Sequence, residues 1–151
     1  TFLATFFGLH LGLGEITKIL HTVARLGRDE TRKLLEAVRV SPYINADETG
    51  WREDGVNGYI WNFSSSDVRY LVFRKSRSGQ VAKEMIGDDY DGTVVTDRYA
   101  GYNAVLAERQ CCWVHLLRDL HKKEDVASWA EGISAVYHQE AEGTAVHEGV
   151  F

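Results

Sequence analysis

The sequence predicts an α/β protein built on a five-stranded mixed sheet, in the order 3-2-1-4-5, with flanking helices. From Pro42 onward, short β-prone runs alternate with turn signals, and a helical pattern separates the third run from the fourth. A helix between two strands of one sheet implies a right-handed crossover, which makes the fourth strand parallel to the third and to the first. The fourth strand can therefore lie beside the first.

Composition limits the class of protein. The chain has 151 residues, 44% of them hydrophobic, which suffices for one domain with small attachments. The formal charge of −5 argues against a protein that coats nucleic acid. Between Arg52 and Lys83, however, basic residues outnumber acidic ones two to one, which suits phosphate contact as well as a solvated polar face. The adjacent cysteines Cys111 and Cys112 cannot join distant segments and indicate a reducing cytoplasm.

Residues 1–40 predict a helical hairpin. The apolar opening, residues 1–14, is too short to span a membrane and lacks the features of an export signal. The stripe of the first helix is Ile16, Ile19, Leu20, Val23 and Leu26, and that of the second is Leu34, Leu35 and Val38. Gly27 is expected to end the first helix, and Asp29 to cap the second. Two interpretations stay open, namely helices that pack on a neighbour and a helix-turn-helix remnant that binds DNA.

The remaining elements follow from turn and periodicity signals. The predicted strands are Tyr43 to Asp47, Tyr59 to Phe63, Val68 to Phe73, Gly92 to Asp97 and Gln110 to Val114. Asp54-Gly55 and Asn57-Gly58 predict turns, and helices are expected before Gly87 and over residues 100–107. From His115 a helical stripe of Leu116, Leu117, Leu120, Val126, Trp129 and Ile133 is expected, and the last dozen residues are expected to be poorly ordered.

Two aspartates come at the ends of predicted strands. Asp47 ends the first and Asp97 ends the fourth. Strand-end carboxylates in open α/β sheets commonly surround a divalent metal ion. Aspartate also begins turns in any protein, so that one such residue indicates little. The pair, on strands expected to be neighbours, favours a metal site.

Five strings of residues closely resemble the catalytic region of bacterial transposases of the insertion sequence 66 family. They are Ala46-Asp47-Glu48-Thr49-Gly50-Trp51-Arg52, Asn57-Gly58-Tyr59-Ile60-Trp61, Lys75-Ser76-Arg77-Ser78-Gly79, Thr96-Asp97-Arg98-Tyr99-Ala100-Gly101-Tyr102-Asn103 and Cys112-Trp113-Val114-His115-Leu116-Leu117-Arg118-Asp119-Leu120. The β-β-β-α-β-α-β order, with acids on strands one and four, is ribonuclease H-like. The resemblance divides the chain into a helical segment (1–40), a partial catalytic core (41–118) and the start of a helical insertion with a poorly ordered tail (119–151).

The resemblance implies a DDE triad of carboxylates that binds magnesium, or manganese. Asp47 and Asp97 match the first two acids, with Asp47 bridging two ions and Asp97 binding one. In the family the third acid lies beyond the insertion in which this chain is expected to stop, so no third residue is assigned. The implied partners are double-stranded DNA, as element ends and target, and further copies of the full-length protein. The expected location is the cytoplasm, at the nucleoid, without membrane contact.

Other candidate residues surround the two acids. Glu48 alternates to the opposite side of the strand from the first acid, which favours a supporting role over metal ligation. Trp51 and Arg52 are interpreted either as substrate contacts or as a core tryptophan and a surface arginine. Tyr99 and Tyr102 are expected to line a DNA groove or to pack on a helix.

Cys112 and His115 are interpreted as residues that pack and form hydrogen bonds near the active face. A zinc site needs about four ligands, and no second Cys/His pair with suitable spacing occurs in the sequence.

Three functions compete at this point. The first is the catalytic core of a DNA transposase, and the second is an inactive relic that at most binds DNA or an intact copy. The third is a compact ribonuclease H-like nuclease, which needs a local third acid such as Glu124 or Asp119.

Overall fold

A five-stranded mixed sheet forms the centre of the chain. The computed structural model describes residues 2–122, 129 and 131–139. The strands are β1 (Tyr43–Glu53), β2 (Val56–Ser64), β3 (Arg69–Arg74), β4 (Thr93–Thr96) and β5 (Glu108–Cys111). Their order is β3-β2-β1-β4-β5, with antiparallel pairing from β3 to β1 and parallel pairing from β1 to β5. The predicted fold class and strand order are confirmed.

Helices flank the sheet and connect its strands. They are α1 (Phe2–Phe7), α2 (Leu13–Leu26), α3 (Arg28–Arg39), α4 (Gly79–Ile86) and α5 (Trp113–His121), together with a 3-10 turn at Ala100–Ala104. Residue 129 and residues 131–139 are also helical. The helix α4 joins β3 to β4, as predicted. Gly87 ends it with φ of 93°, a conformation that glycine adopts at little cost.

The β1–β2 hairpin is longer than predicted. Its turn is Asp54-Gly55, with φ of 48° and 79°, and both strands extend up to it. The prediction of a second turn at Asn57-Gly58 was wrong, because both residues lie in β2 and pair with β1. Gly58 is needed there for space, since a Cβ at this position would lie 2.3 Å from the ring of Phe73. A glycine next to asparagine here serves sheet packing and not a turn.

The elements after Tyr99 also differ from the prediction. The helix expected over residues 100–107 is only the 3-10 turn, and the strand expected to reach Val114 ends at Cys111. At that point the backbone N–H of Cys112 donates to the carbonyl oxygen of Thr96 at 2.7 Å, and α5 begins. A short apolar run does not by itself distinguish a strand from the start of a helix.

The hydrophobic core lies between one face of the sheet and the helices α3 and α4. Its members are Val38, Ile44, Ala46, Trp61, Phe63, Tyr70, Val81, Ala82, Met85, Ile86, Tyr90, Val94, Tyr102 and Val105. The Trp61 ring lies 6.1 Å from the rings of both Phe63 and Tyr102. Each fully buried large side chain contributes roughly 1.5–3 kcal/mol to stability. Arg39 also ties α3 to α4, since its guanidinium donates to the carbonyl oxygens of Glu84 and Met85.

The predicted hairpin does not form, because Gly27, the single residue between α2 and α3, keeps a helical backbone conformation, and only α3 packs on the core. Val38 of α3 is buried and Leu35 is partly buried, but in the described part of the chain no residue of α2 is buried. The expected apolar stripe of α2 is exposed, from 42% at Ile16 to 72% at Leu26. The α3 helix begins at Arg28, after Gly27, so Asp29 lies in its first turn and not at its cap. None of the described helices has the length and apolar character needed to cross a membrane.

The apolar stripe predicted after β5 is buried or half-buried at Leu116, Leu117, Leu120 and Ile133, but not at Trp129. Trp129 is 63% exposed, contrary to expectation. The contact between α5 and residues 131–139 is made instead by the rings of Trp113 and Tyr137, which stack at 6.5 Å. Val126 and the last dozen residues lie outside the described residues.

A close backbone contact joins the N-terminus of α4 to the 3-10 turn. A Cβ at Gly79 would lie 1.9 Å from the carbonyl oxygen of Gly101, and one at Gly101 would lie 2.3 Å from the Tyr99 ring. The glycines of two of the strings thus meet each other. Their contact brings the segment around Arg77 next to the segment that follows Asp97.

We expect Gly79→Ala to lower the free energy of unfolding by about 1–3 kcal/mol, because the added methyl group must displace backbone. Urea denaturation measures this difference. The matched control is Gly50→Ala in β1, where a Cβ meets no described atom within 4 Å. The control should stay within about 0.5 kcal/mol of the unaltered chain. Equal stability of all three proteins would contradict the close contact.

Candidate catalytic site

A short parallel ladder between β1 and β4 sets the position of the two candidate acids. It pairs residues 43–45 with residues 93–95. Continued by two residues, the same register places Asp47 level with Asp97, just beyond the end of β4. The prediction that Asp47 ends its strand was wrong, because β1 continues to Glu53 by pairing with β2.

Asp47 lies on the open face of the sheet. Ile44 and Ala46 are buried, so by alternation the side chain of Asp47 projects to the other face, and it is exposed. Across the sheet Asp47 pairs with Asn62, which pairs with Leu71 of β3. Leu71 is 62% exposed, so this row is open to solvent in the described part of the chain. Among the described residues, the carboxylate of Asp47 is therefore open to solvent on this face.

The turn after β4 orients the carboxylate of Asp97. Its Oδ1 accepts a hydrogen bond from the backbone N–H of Tyr99 at 2.8 Å, and the residue is half-buried. The adjacent Thr96 carbonyl accepts the Cys112 N–H, which ties the start of α5 to the same point. The Asp97 carboxylate is therefore held in place before any ligand binds.

Glu48 lies on the opposite face from Asp47, and its side chain is buried, with 1% exposed. Its Oε1 accepts hydrogen bonds from Arg77, at 2.9 Å from Nε and 2.7 Å from Nη2. Its Oε2 accepts one from the Tyr102 hydroxyl at 2.6 Å. A buried carboxylate needs such partners, because an unpaired charge in the interior costs several kcal/mol. The two oxygens are thus engaged with protein donors.

The hydroxyl group of Tyr102, in the 3-10 turn, is the second partner of this buried carboxylate. Its ring is fully buried. Burial is the first cause that raises the pKa of Tyr102 far above its usual range, followed by the hydrogen bond to Glu48. The negative charges of Glu48, Asp47 and Asp97 raise this pKa further. Both aspartates therefore lie within electrostatic range of one hydroxyl group.

Trp51 and Arg52 lie on the extension of β1 toward the hairpin turn. Trp51 is 53% exposed, so the interpretation of a core tryptophan was wrong. Arg52 is an exposed residue whose Nε donates to the Gly55 carbonyl at 3.3 Å. Substrate contact by either residue stays a prediction.

Cys112 and His115 lie at the start of α5. Cys112 is the N-cap residue, and its carbonyl accepts the N–H of Leu116 at 3.1 Å. The Nδ1 atom of His115 is buried and has no hydrogen-bond partner in the described structure. The expected hydrogen bonding therefore involves the backbone of Cys112, while the Nδ1 of His115 takes no part in it.

Comparison with known families identifies the chain. The family model described as Transposase IS66 family matches residues 1–148. The chain belongs to this family of transposases. Among curated proteins none matches the chain significantly. The family is of the DDE type, which agrees with the resemblance of the five strings.

Asp47 and Asp97 are the two carboxylates of the transposase that were predicted to bind a divalent metal. Magnesium and manganese prefer such carboxylate ligands. Within residues 2–122, 129 and 131–139, no group of three or more His, Cys, Asp or Glu side chains is arranged to hold a metal ion. The donor set thus fits a metal in part, and further ligands would have to come from water, substrate or an acid outside these residues.

Asp119 of the transposase is paired with cations. Its carboxylate accepts a hydrogen bond from Arg98 and lies 3.5 Å from Nζ of Lys122. The hydrogen bond from Arg98 is the main cause that lowers the pKa of Asp119. Asp119 therefore has partners other than the two candidate acids. Glu124, the other local candidate for a third acid, lies outside the described residues.

Arg77 is a site residue that the sequence alone did not single out. It belongs to the basic stretch between Arg52 and Lys83 and to the string Lys75-Ser76-Arg77-Ser78-Gly79, which were the available signals. Arg77 and Glu48 are 29 residues apart in sequence, and hydrophobic periodicity does not predict contacts between residues so far apart. The carboxylate also raises the pKa of Arg77, mainly through their hydrogen bond.

We expect Tyr102→Phe in this transposase to lower the free energy of unfolding by about 1.5–3 kcal/mol near neutral pH. The change removes a hydrogen bond to a buried charged group. It should also alter the alkaline pH dependence. Below about pH 10 the hydroxyl is protonated in both states, whereas above it the unfolded chain ionises first, so stability falls as pH rises. Tyr102→Phe should reduce that fall.

Urea denaturation at several pH values between 8 and 11 measures both effects. The control is Tyr43→Phe, on an exposed tyrosine of β1, for the loss of a hydroxyl group as such. Some alkaline loss should persist in Tyr102→Phe, because burial also raises the pKa of Tyr90. An identical slope with and without the Tyr102 hydroxyl would contradict this assignment.

Proposed function

We propose that this transposase domain serves metal-dependent DNA cleavage and strand transfer at the ends of a mobile element, with Asp47 and Asp97 as the first two acids of the DDE centre. The observation that supports the proposal best is the β1–β4 register, which ends at Asn45 and Val95 and, continued by two residues, brings the two aspartates level just beyond the carboxyl end of β4. Family membership supplies the reaction class.

The surroundings of Asp47, Asp97 and Glu48 suit them to different roles in this reaction. Strand transfer displaces a phosphodiester oxygen in line, through a transition state whose negative charge lies on the phosphate oxygens. A bound magnesium ion would supply charge neutralisation and activation of the attacking hydroxyl. Asp47, exposed on the open face, and Asp97, oriented by the Tyr99 N–H, would hold it. Glu48 would not be a ligand, because Arg77 and Tyr102 occupy its oxygens.

The substrate would be double-stranded DNA, as element ends and as target. Support comes from the family and from the basic residues of strands and turns between Arg52 and Lys83. We further propose that the full-length protein acts as a homo-oligomer, in the cytoplasm at the nucleoid. An element has two ends that must both be cut and transferred, and one copy of the protein at each end would account for a homo-oligomer.

A second candidate function is an inactive relic that at most binds DNA or an intact copy. One observation favours it, since no third acid joins Asp47 and Asp97 among the described residues. Metal affinity and geometry both depend on ligand number. We therefore propose that this chain by itself binds metal weakly and cuts DNA poorly, and that a third acid completes the centre.

We expect Asp47→Asn and Asp97→Asn each to weaken Mn²⁺ binding by about tenfold or more, because each removes a charged oxygen ligand. Titration followed by electron paramagnetic resonance measures free Mn²⁺ directly. The matched control is Asp67→Asn, which removes the same charge from an exposed turn that lies before β3. Equal affinity in all four proteins would reject the two-acid site.

Nicking of supercoiled plasmid with Mg²⁺ or Mn²⁺ separates the candidate functions. Transposase chemistry predicts slow nicking that Asp47→Asn abolishes and Asp119→Ala leaves intact. A relic predicts no nicking at any metal concentration. A compact nuclease predicts nicking that is lost when Asp119 and Glu124 are both replaced. Nicking by Asp47→Asn at the normal rate would show that Asp47 is not catalytic.

A further inference from the structure

Arg77 is held at the surface by Glu48, which follows Asp47 by one residue, and by Tyr99, which follows Asp97 by two. Its Nε and Nη2 both donate to Oε1 of Glu48, at 2.9 and 2.7 Å. Its guanidinium carbon lies 4.1 Å from the centre of the Tyr99 ring. The Tyr99 hydroxyl in turn donates to the carbonyl oxygen of Arg77 at 2.9 Å. One buried carboxylate and one aromatic face thus fix both the backbone and the side chain of this arginine.

The arrangement leaves part of the guanidinium directed away from Glu48. A guanidinium group is planar and carries five N–H donors in a rigid fork. Because Nε and Nη2 face the carboxylate, the edge formed by Nη1 and the second hydrogen of Nη2 points elsewhere. The side chain is 45% exposed, whereas that of Glu48 is 1% exposed. Solvent therefore reaches Arg77 at the side opposite to its buried partner.

The position of Arg77 links it to the reaction site. Glu48 is adjacent in sequence to Asp47, and Tyr99 donates its N–H to Asp97. Two aspartates alone repel a phosphodiester, so a cation nearby helps the DNA backbone to approach. An arginine edge matches two phosphate oxygens, and a pre-positioned one loses little conformational entropy on binding.

We propose that Arg77 binds a backbone phosphate of the DNA whose reacting strand is held at the Asp47–Asp97 pair, and that Glu48 and Tyr99 position it for this contact. This inference rests on the proposed function for its substrate, DNA. Its test is independent of metal chemistry, because phosphate contact is measurable without a divalent ion.

The experiment is fluorescence anisotropy of a labelled duplex of about 30 base pairs with the whole chain, in EDTA, at salt concentrations from 20 to 200 mM. For Arg77→Gln we expect an affinity about fivefold to tenfold lower at low salt. The slope of log affinity against log salt concentration should decrease by about one, the value of one lost phosphate contact. Arg77→Lys, which retains the charge but not the fork, should keep the slope and bind about threefold more weakly.

Matched controls separate phosphate contact from net charge and from folding. Arg32→Gln removes the same charge from an exposed ion pair with Asp29 on α3, and should leave affinity and slope almost unchanged. Arg77→Gln leaves Glu48 buried without its cation, so the Glu48→Gln and Arg77→Gln double variant provides a form without a buried charge. It should show the same decrease in slope as Arg77→Gln. Glu48→Gln alone should keep the slope and lose affinity, because Arg77 keeps its charge but not its support.

Three results would overturn the inference. One is an unchanged slope in both Arg77→Gln and the double variant. Another is an equal loss in Arg32→Gln, which would indicate an effect of net charge. The third is an unaltered chain that does not bind the duplex at 20 mM salt. Failure of the proposed function has a different signature, namely Mn²⁺ affinity that does not respond to Asp47→Asn or Asp97→Asn.

Discussion

The buried carboxylate of Glu48 is the interaction on which the arrangement around the site depends. It joins β1 to the segment before α4 through Arg77, and to the 3-10 turn through Tyr102. A charge in this place is tolerated only while both partners remain, since the loss of either leaves it unsatisfied in the interior. The close approach of Gly79 and Gly101 is what permits both partners to arrive together. The hydrogen bonds of Glu48 and the close contact of Gly79 with Gly101 therefore stabilise the same arrangement.

Much of the fold could be predicted from local patterns. Alternation and turn signals gave the strand order, and Gly27 and Gly87 marked the ends of α2 and α4 as expected. The errors arose where one residue type serves two purposes. The Asn57-Gly58 pair was interpreted as a turn, although Gly58 makes room for Phe73 across the sheet. The exposure of the apolar stripe of α2 could not be predicted either, because an amphipathic pattern predicts a helix but not the surface on which it packs.

The site could be predicted in part, for a comparable reason. The strings around Asp47 and Asp97 indicated the two candidate acids, whose catalytic role stays a prediction, and alternation along β1 correctly placed Glu48 on the opposite face from Asp47. The partners of Glu48 could not be predicted, since Arg77 and Tyr102 lie 29 and 54 residues away in sequence. Contacts between residues so far apart in sequence depend on how α4 and the 3-10 turn pack against the sheet. Hydrophobic periodicity does not predict this packing. Sequence motifs indicate candidate acids, whereas the residues that contact and support them are identified only from the structure.

The length of the β1–β2 hairpin has a consequence for local opening. Pairing of β2 with β3 ends at Tyr59, so the last three residue pairs, from Trp51 with Gly58 to Glu53 with Val56, form a two-stranded ribbon. Two strands alone are marginally stable in water, and amide hydrogens in such a ribbon exchange through local fraying, not global unfolding. At the other end of the same strand, Ile44 and Ala46 are buried in the core. Along β1, protection from hydrogen exchange should therefore decrease from the core to the Asp54-Gly55 turn, with Asp47 and Glu48 between the rigid end and the fraying one.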